Sequence, residues 1–156
     1  PAQLLASDEG KRFRDASAEA APYFTTTHAG RGLAVGDLDN DGAPDLVISH
    51  QNDPVTVLRN LKTPPAFIRV RLVGTESTTD AIGAKVTLAR TENPLTRWIV
   101  GGGGYLSQND RRVLFALEES GPQTILVQWP SGRKERFEEL SAGRTHDLVE
   151  GQGHAD

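Results

Sequence analysis

Asp37-Leu38-Asp39-Asn40-Asp41-Gly42-Ala43-Pro44-Asp45 places four carboxylates at relative positions 1, 3, 5 and 9 around a glycine at position 6. Carboxylates this close repel one another, and a hard divalent cation offsets the repulsion. Calcium takes roughly 6–8 oxygen ligands at about 2.3–2.6 Å in a flexible geometry. Positions 1, 3 and 5 can curl around one ion. Gly42 permits the turn that brings the Ala43 carbonyl round, and Asp45 closes the far side. The predicted ligands are therefore Asp37, Asp39, Asp41, Ala43 and Asp45, and the predicted ion is Ca2+. A helical calcium loop needs Glu at its twelfth position, where this chain has Ile48. The flanks Gly32-Leu33-Ala34-Val35-Gly36 and Leu46-Val47-Ile48-Ser49 read as short buried strands, so the loop is expected to join two strands. The competing explanation is a hairpin turn with solvated acids, since Asn and Asp beside Gly are ordinary turn residues. A turn needs one or two such residues, not carboxylates at four set positions.

A chain of 156 residues makes one ordinary domain or two small ones, with enough material to bury a core. Its 37% hydrophobic content and 16 glycines suit a turn-rich all-β protein better than a helical bundle. The net charge of −4 equals the charge of the four loop aspartates, so the remainder is near neutral. Without a basic stripe, nucleic-acid binding is not expected. No apolar run approaches the ~20 residues of a membrane span. Cysteine is absent, which excludes disulfides and thiol chemistry. The chain begins at Pro1 and holds no Met, as expected of a mature or excised form.

Outward from the acidic loop, residues 1–62 read as short strands and turns. Gln3-Leu4-Leu5-Ala6 and Arg12-Phe13-Arg14-Asp15 flank a turn at Ser7-Asp8-Glu9-Gly10. One helical turn over 17–21 is expected to stop at Pro22, and a strand covers 55–59. The seam is Lys62-Thr63-Pro64-Pro65, stiffened by its paired prolines. Beyond it, apolar–polar alternation predicts seven strands at 67–73, 84–90, 97–100, 113–117, 124–129, 134–140 and 145–149, with turns at Pro130-Ser131-Gly132 and Ser141-Ala142-Gly143. Residues 66–150 are thus read as an antiparallel β-sandwich or barrel, and 151–156 as a polar tail.

Gly36-Asp37-Leu38-Asp39-Asn40-Asp41-Gly42-Ala43-Pro44-Asp45-Leu46 resembles the FG-GAP or VCBS repeat, the blade motif of integrin-like β-propellers, and Val57-Leu58-Arg59-Asn60 resembles the strand that follows in such blades. The second half resembles the ASPIC/UnbV domain of the cartilage acidic protein family. The matching pieces are Ala81-Ile82-Gly83-Ala84-Lys85-Val86, Gly104-Tyr105-Leu106-Ser107-Gln108-Asn109-Asp110, Phe115-Ala116-Leu117 and Val127-Gln128-Trp129-Pro130-Ser131-Gly132-Arg133. One departure is Ala116, where the family usually has glycine. The resemblance implies an all-β protein: a partial propeller blade with a calcium loop, followed by the second β domain. Propellers typically have 4–8 four-stranded blades. Only one blade and parts of a neighbour fit here, so the chain is expected to be the C-terminal part of a longer protein. The open blade edge is then liable to pair with the second domain or with another copy. The resemblance also implies a secreted, cell-surface or periplasmic setting, and it carries no established catalytic activity.

Gly101-Gly102-Gly103-Gly104 lacks the Lys-Ser/Thr and following helix of a phosphate loop, so it reads as a flexible hairpin or bulge. His28, His50, His146 and His154 are scattered, with no pair at metal spacing. His146-Asp147 and Ser107 supply the residue types of a triad, without a Gly-x-Ser-x-Gly elbow. No enzymatic activity is expected. Trp129 reads as core. Trp98, Tyr105, Gln108, Asn109 and Arg111 lie on or beside a mixed polar loop over 101–112 and form the candidate ligand face. The expected function is a calcium-stabilised extracellular module for protein interaction or adhesion. A carbohydrate-binding module using Trp98 and Tyr105 is the alternative, and a hydrolase-associated domain is a third.

Overall fold

Period-two alternation puts every second residue of a strand on one face, so a strand such as Ile68-Arg69-Val70-Arg71-Leu72 must have a core on one side only. The computed structural model describes residues 1–8 and 10–155. Its strands are β1 (Leu5–Asp8), β2 (Arg12–Asp15), β3 (Gly30–Gly36), β4 (Asp45–His50), β5 (Thr56–Leu58), β6 (Ala66–Val73), β7 (Lys85–Leu88), β8 (Leu95–Trp98), β9 (Val113–Leu117), β10 (Gln123–Gln128), β11 (Lys134–Leu140), β12 (Thr145–Val149) and β13 (His154–Ala155). The helical content is two single 3-10 turns, Ser17–Glu19 and Pro22–Thr25. The first turn ends at Glu19, short of the expected 17–21, and Pro22 instead opens the second, where its fixed φ and missing N–H cost nothing. Glu9 of the predicted first turn and Asp156 of the tail lie outside the described residues.

β1 and β2 form a hairpin, and β3-β4-β5 form a three-stranded antiparallel sheet. The second half builds two sheets, ordered β12-β6-β9 and β13-β11-β10-β7-β8. They share one core. Ile68, Val70 and Leu72 of β6, Phe115 of β9 and Leu148 of β12 meet Val86 and Leu88 of β7 and Ile125 and Val127 of β10, with Trp129 beside them. Each such side chain contributes about 1.5–3 kcal/mol by leaving water. A smaller cluster of Tyr23, Phe24 and Ile48 packs the 3-10 turns onto the first sheet.

The all-β expectation holds, with three corrections. None of the sheets closes on itself, so the barrel is ruled out. The pairing is not wholly antiparallel, because β12 runs parallel to β6. Parallel neighbours need a long crossover, and the intervening strands supply it. The predicted strand at 97–100 is β8 at 95–98, two residues earlier. At the chain's end, the buried Glu135 carboxylate accepts hydrogen bonds from the Gly151 and Gly153 amides, which turns His154–Ala155 back onto β11. No helix among the described residues is long and apolar enough to cross a membrane.

Candidate functional site

The loop between β3 and β4 is shaped by its own side chains. Asp37 accepts hydrogen bonds from the Asp41 amide at 3.1 Å and the Gly42 amide at 2.9 Å. Asp41 accepts one from the Ala43 amide at 2.9 Å. Asp45 accepts from the Leu38 amide at 3.0 Å and, from beyond β5, the Asn60 amide at 2.8 Å. Asn40 and Gly42 adopt left-handed backbone, φ 61° and 89°. Gly42 is required twice over, since a Cβ there would sit 2.3 Å from the Phe67 ring.

This folding draws carboxylate oxygens of Asp37, Asp39 and Asp45 within 4.8 Å of one another. Two oxygens on opposite sides of a calcium ion are about 4.6–5.2 Å apart at ordinary bond lengths, so the trio fits such an ion. Asp41 is not part of the trio. One of its oxygens caps the Ala43 amide, and the other faces Arg59 at 3.5 Å. Ala43 is buried beneath the turn.

Sequence reading missed the cations around this loop. Arg59 pairs with Asp39 at 2.5 Å. Arg69, only 2% exposed, pairs with Asp37 and donates to Asn40 Oδ1 at 2.7 Å. Its guanidinium lies 5.3 Å from the Phe67 ring centroid. Arg69 belongs to β6 and points away from the core, so the first half of the chain is what buries it. Three of the four loop carboxylates face these two arginines and Asp45 bonds only to amides, so two of the four negative charges are uncompensated by these pairs.

The loop over 101–112 lies along the outer edge of β3. The Asp110 amide donates to the Val35 carbonyl at 2.9 Å, and the Val35 amide donates to Asn109 Oδ1 at 3.0 Å. The second half of the chain thus covers an edge that would otherwise be open to pairing. Arg111 pairs with Asp80, and Gln108, with its amide turned to accept, receives Arg111 Nε at 2.6 Å. Trp98 is 60% and Tyr105 71% exposed. Trp98, Asn109 and Arg111 border one cleft of about 340 Å³, together with Arg69, Arg97 and Arg112. Gln108 borders an adjoining hollow with Asn109 and Arg111, and Tyr105 borders neither.

Two histidines expected to be scattered come together. The His28 and His50 rings are 5.2 Å apart, and Tyr23 stacks on His28 at 4.5 Å. Tyr23 also donates to His50 Nε2 at 3.0 Å, since His50 Nδ1 lies 2.8 Å from the Pro54 carbonyl and must carry the proton. His146 Nε2 donates to the Ser141 carbonyl at 2.8 Å. Ser107 sits on the loop along β3, its hydroxyl buried and without a partner.

The family described as ASPIC and UnbV matches residues 74–155. Cartilage acidic protein 1 of Xenopus tropicalis is 33% identical over 109 residues, covering 67% of this chain and 17% of that protein. Cartilage acidic protein 1 of Mus musculus is 34% identical over the same length and shares, and that of Homo sapiens is 34% identical with 16% of its length covered. The chain spans about a sixth of the length of these curated relatives.

Proposed function

The chain belongs to the ASPIC and UnbV family, and on that premise we propose that it is a non-enzymatic, calcium-stabilised β module of an extracellular protein, acting through a binding surface. In this reading β3-β4-β5 is a partial propeller blade and the setting is secreted, cell-surface or periplasmic; relatives named for cartilage support the first of these. The carrying observation is the convergence of Asp37, Asp39 and Asp45 oxygens within 4.8 Å. Those three residues would hold the ion. Arg59 is exposed enough to swing aside, while Arg69 keeps Asp37 tied to β6. Bound calcium would supply the two positive charges that the ion pairs leave uncompensated. A cation held mainly by carboxylates stiffens a turn rather than polarising a substrate.

The test is thermal and chemical unfolding in 1 mM calcium against chelator. At an affinity of ~0.1 mM, in the range of extracellular modules, stabilisation is about 1.4 kcal/mol. Asp45→Asn should lose that increment. A folded sample with no calcium heat by calorimetry, and no calcium-dependent change in unfolding, would end the calcium reading.

The second reading is saccharide recognition. It is favoured by one observation: the Trp98 indole is largely uncovered at the rim of a cleft. Aromatic faces left bare beside amides suit the apolar faces and hydroxyls of sugar rings.

A further inference from the structure

We propose that the cleft beside β3 binds an anionic saccharide, one whose rings carry carboxylate or sulfate groups. The inference rests on the reading of Trp98 and the 101–112 loop as the recognition face, and it names the ligand class for that face.

The cleft exists because the sandwich is open on one side. β8 and β9 are edge strands of the two facing sheets, and no strand bridges them. The end of β3 and the loop over 101–112 wall the gap. Its volume of about 340 Å³ falls at the lower end of the roughly 300–1,000 Å³ of small-ligand sites.

Two donors in the wall lack acceptors. The Arg97 side chain makes no hydrogen bond or ion pair among the described residues, although Arg111 and Arg112, which border the same cleft, are paired with Asp80 and Asp110. Arg69 is 2% exposed, and its Nε is buried without a partner. A guanidinium only donates, so the complement of the exposed Arg97 is an acceptor, best a charged one. The charged residues of the wall with their ion-pair partners are Arg69, Arg97, Arg111 and Arg112 against Asp37, Asp80 and Asp110, a balance of +1 that Arg97 carries in a chain of net charge −4. The cleft is therefore a local positive field on an otherwise acidic protein.

The saccharide is favoured over an acidic peptide by what surrounds the charges. Arg97 and Trp98 are consecutive in the edge strand, so their side chains leave opposite faces of β8, and both residues border the cleft. A saccharide of several rings that passes over the edge of β8 would stack one ring on Trp98 and set the carboxylate or sulfate of another against Arg97, and the Asn109 amide offers bonds to hydroxyls. An acidic peptide such as poly-glutamate would pair with the arginines but present no ring face to the indole.

The experiment is isothermal titration of the full chain, in chelator, with four probes: a hyaluronan octasaccharide, a heparin octasaccharide, a neutral dextran octasaccharide and a poly-glutamate peptide. The first two separate carboxylate from sulfate recognition. At least one acidic saccharide should bind and dextran should not. Arg97→Gln should weaken binding about tenfold, as expected for losing a charged hydrogen bond, and Trp98→Ala should weaken it severalfold. Arg12→Gln, which removes the same charge from the β1–β2 hairpin, should leave affinity unchanged. Failure of both acidic saccharides, or equal binding of dextran, overturns the proposal. Tighter binding of poly-glutamate, lost in Arg97→Gln, overturns the saccharide class while keeping the face. Acidic-saccharide binding untouched by both cleft variants overturns the face itself.

Discussion

Replacing Glu150 by Gln should weaken the protein most at neutral pH and least in acid. Glu150 follows β12 and is 2% exposed. One carboxylate oxygen accepts the amides of Thr75, Glu76 and Ser77 at 2.9, 2.9 and 2.7 Å. The other accepts the hydroxyls of Ser77 at 2.9 Å and Ser131 at 2.5 Å. Burial pushes the carboxyl up, but the bonds from the Ser131 hydroxyl, the Ser77 and Thr75 amides and the Ser77 hydroxyl outweigh it, and the pKa falls from 4.5 to about 2. The folded state thus favours the charged form. Its stabilisation is complete above pH ~4.5 and disappears as the pH falls towards 2. That drop in pKa corresponds to about 3 kcal/mol, discounted to about 2 kcal/mol because the serine loops lie near solvent. Glutamine keeps one acceptor oxygen for the three amides and loses the charge. Urea unfolding should therefore show Glu150→Gln less stable by about 2 kcal/mol at pH 7, with the gap closing between pH 4.5 and 2. The buried Trp129 indole reports the transition by fluorescence. A gap that stays constant across this range, or none at pH 7, would refute the reasoning.

Two further outcomes follow from the acidic loop. Gly42→Ala places a Cβ against Phe67 in left-handed backbone, so calorimetry should show a loss of about 2–4 kcal/mol from combined strain and overpacking. Asp37→Asn leaves the buried Arg69 without its counter-charge and should cost about 3–5 kcal/mol in denaturant unfolding. Asp39→Asn faces the exposed Arg59 and should cost at most about 1 kcal/mol in the absence of calcium; equal losses for the two would contradict the burial argument.

Much of the fold was legible because alternation is a local signal. Ile68, Val70 and Leu72 mark a core face by their spacing alone, and the same holds for Val113, Phe115 and Leu117. The parallel pairing of β12 with β6 was not legible, since nothing within either strand records its partner's direction. The acidic loop announced itself through spacing, yet Arg69 did not. Its neighbours Ile68 and Val70 point into the core, and a polar residue between them reads as solvated until another part of the chain covers it. His28 and His50 met for the same reason: the β3–β4 hairpin brings their rings together from 22 positions apart. The Trp-Pro-Ser-Gly turn illustrates the intermediate case. It was recognisable as a turn, but only the structure shows its serine hydroxyl donating to Glu150.

The parallel pair has a consequence for how the protein is made. β6 is the first strand of its half to leave the ribosome, and its neighbour β12 is 76 residues further on, as Arg71 and Asp147 show. Until β12 emerges, β6 has only β9 beside it and one lateral edge bare. Pairings this distant in sequence are slow to form, because loop-closure entropy is lost before contacts reward it. During that interval the nascent chain exposes an apolar strand edge, and chaperone occupancy should persist until residues 145–149 have emerged and fall once β12 has docked.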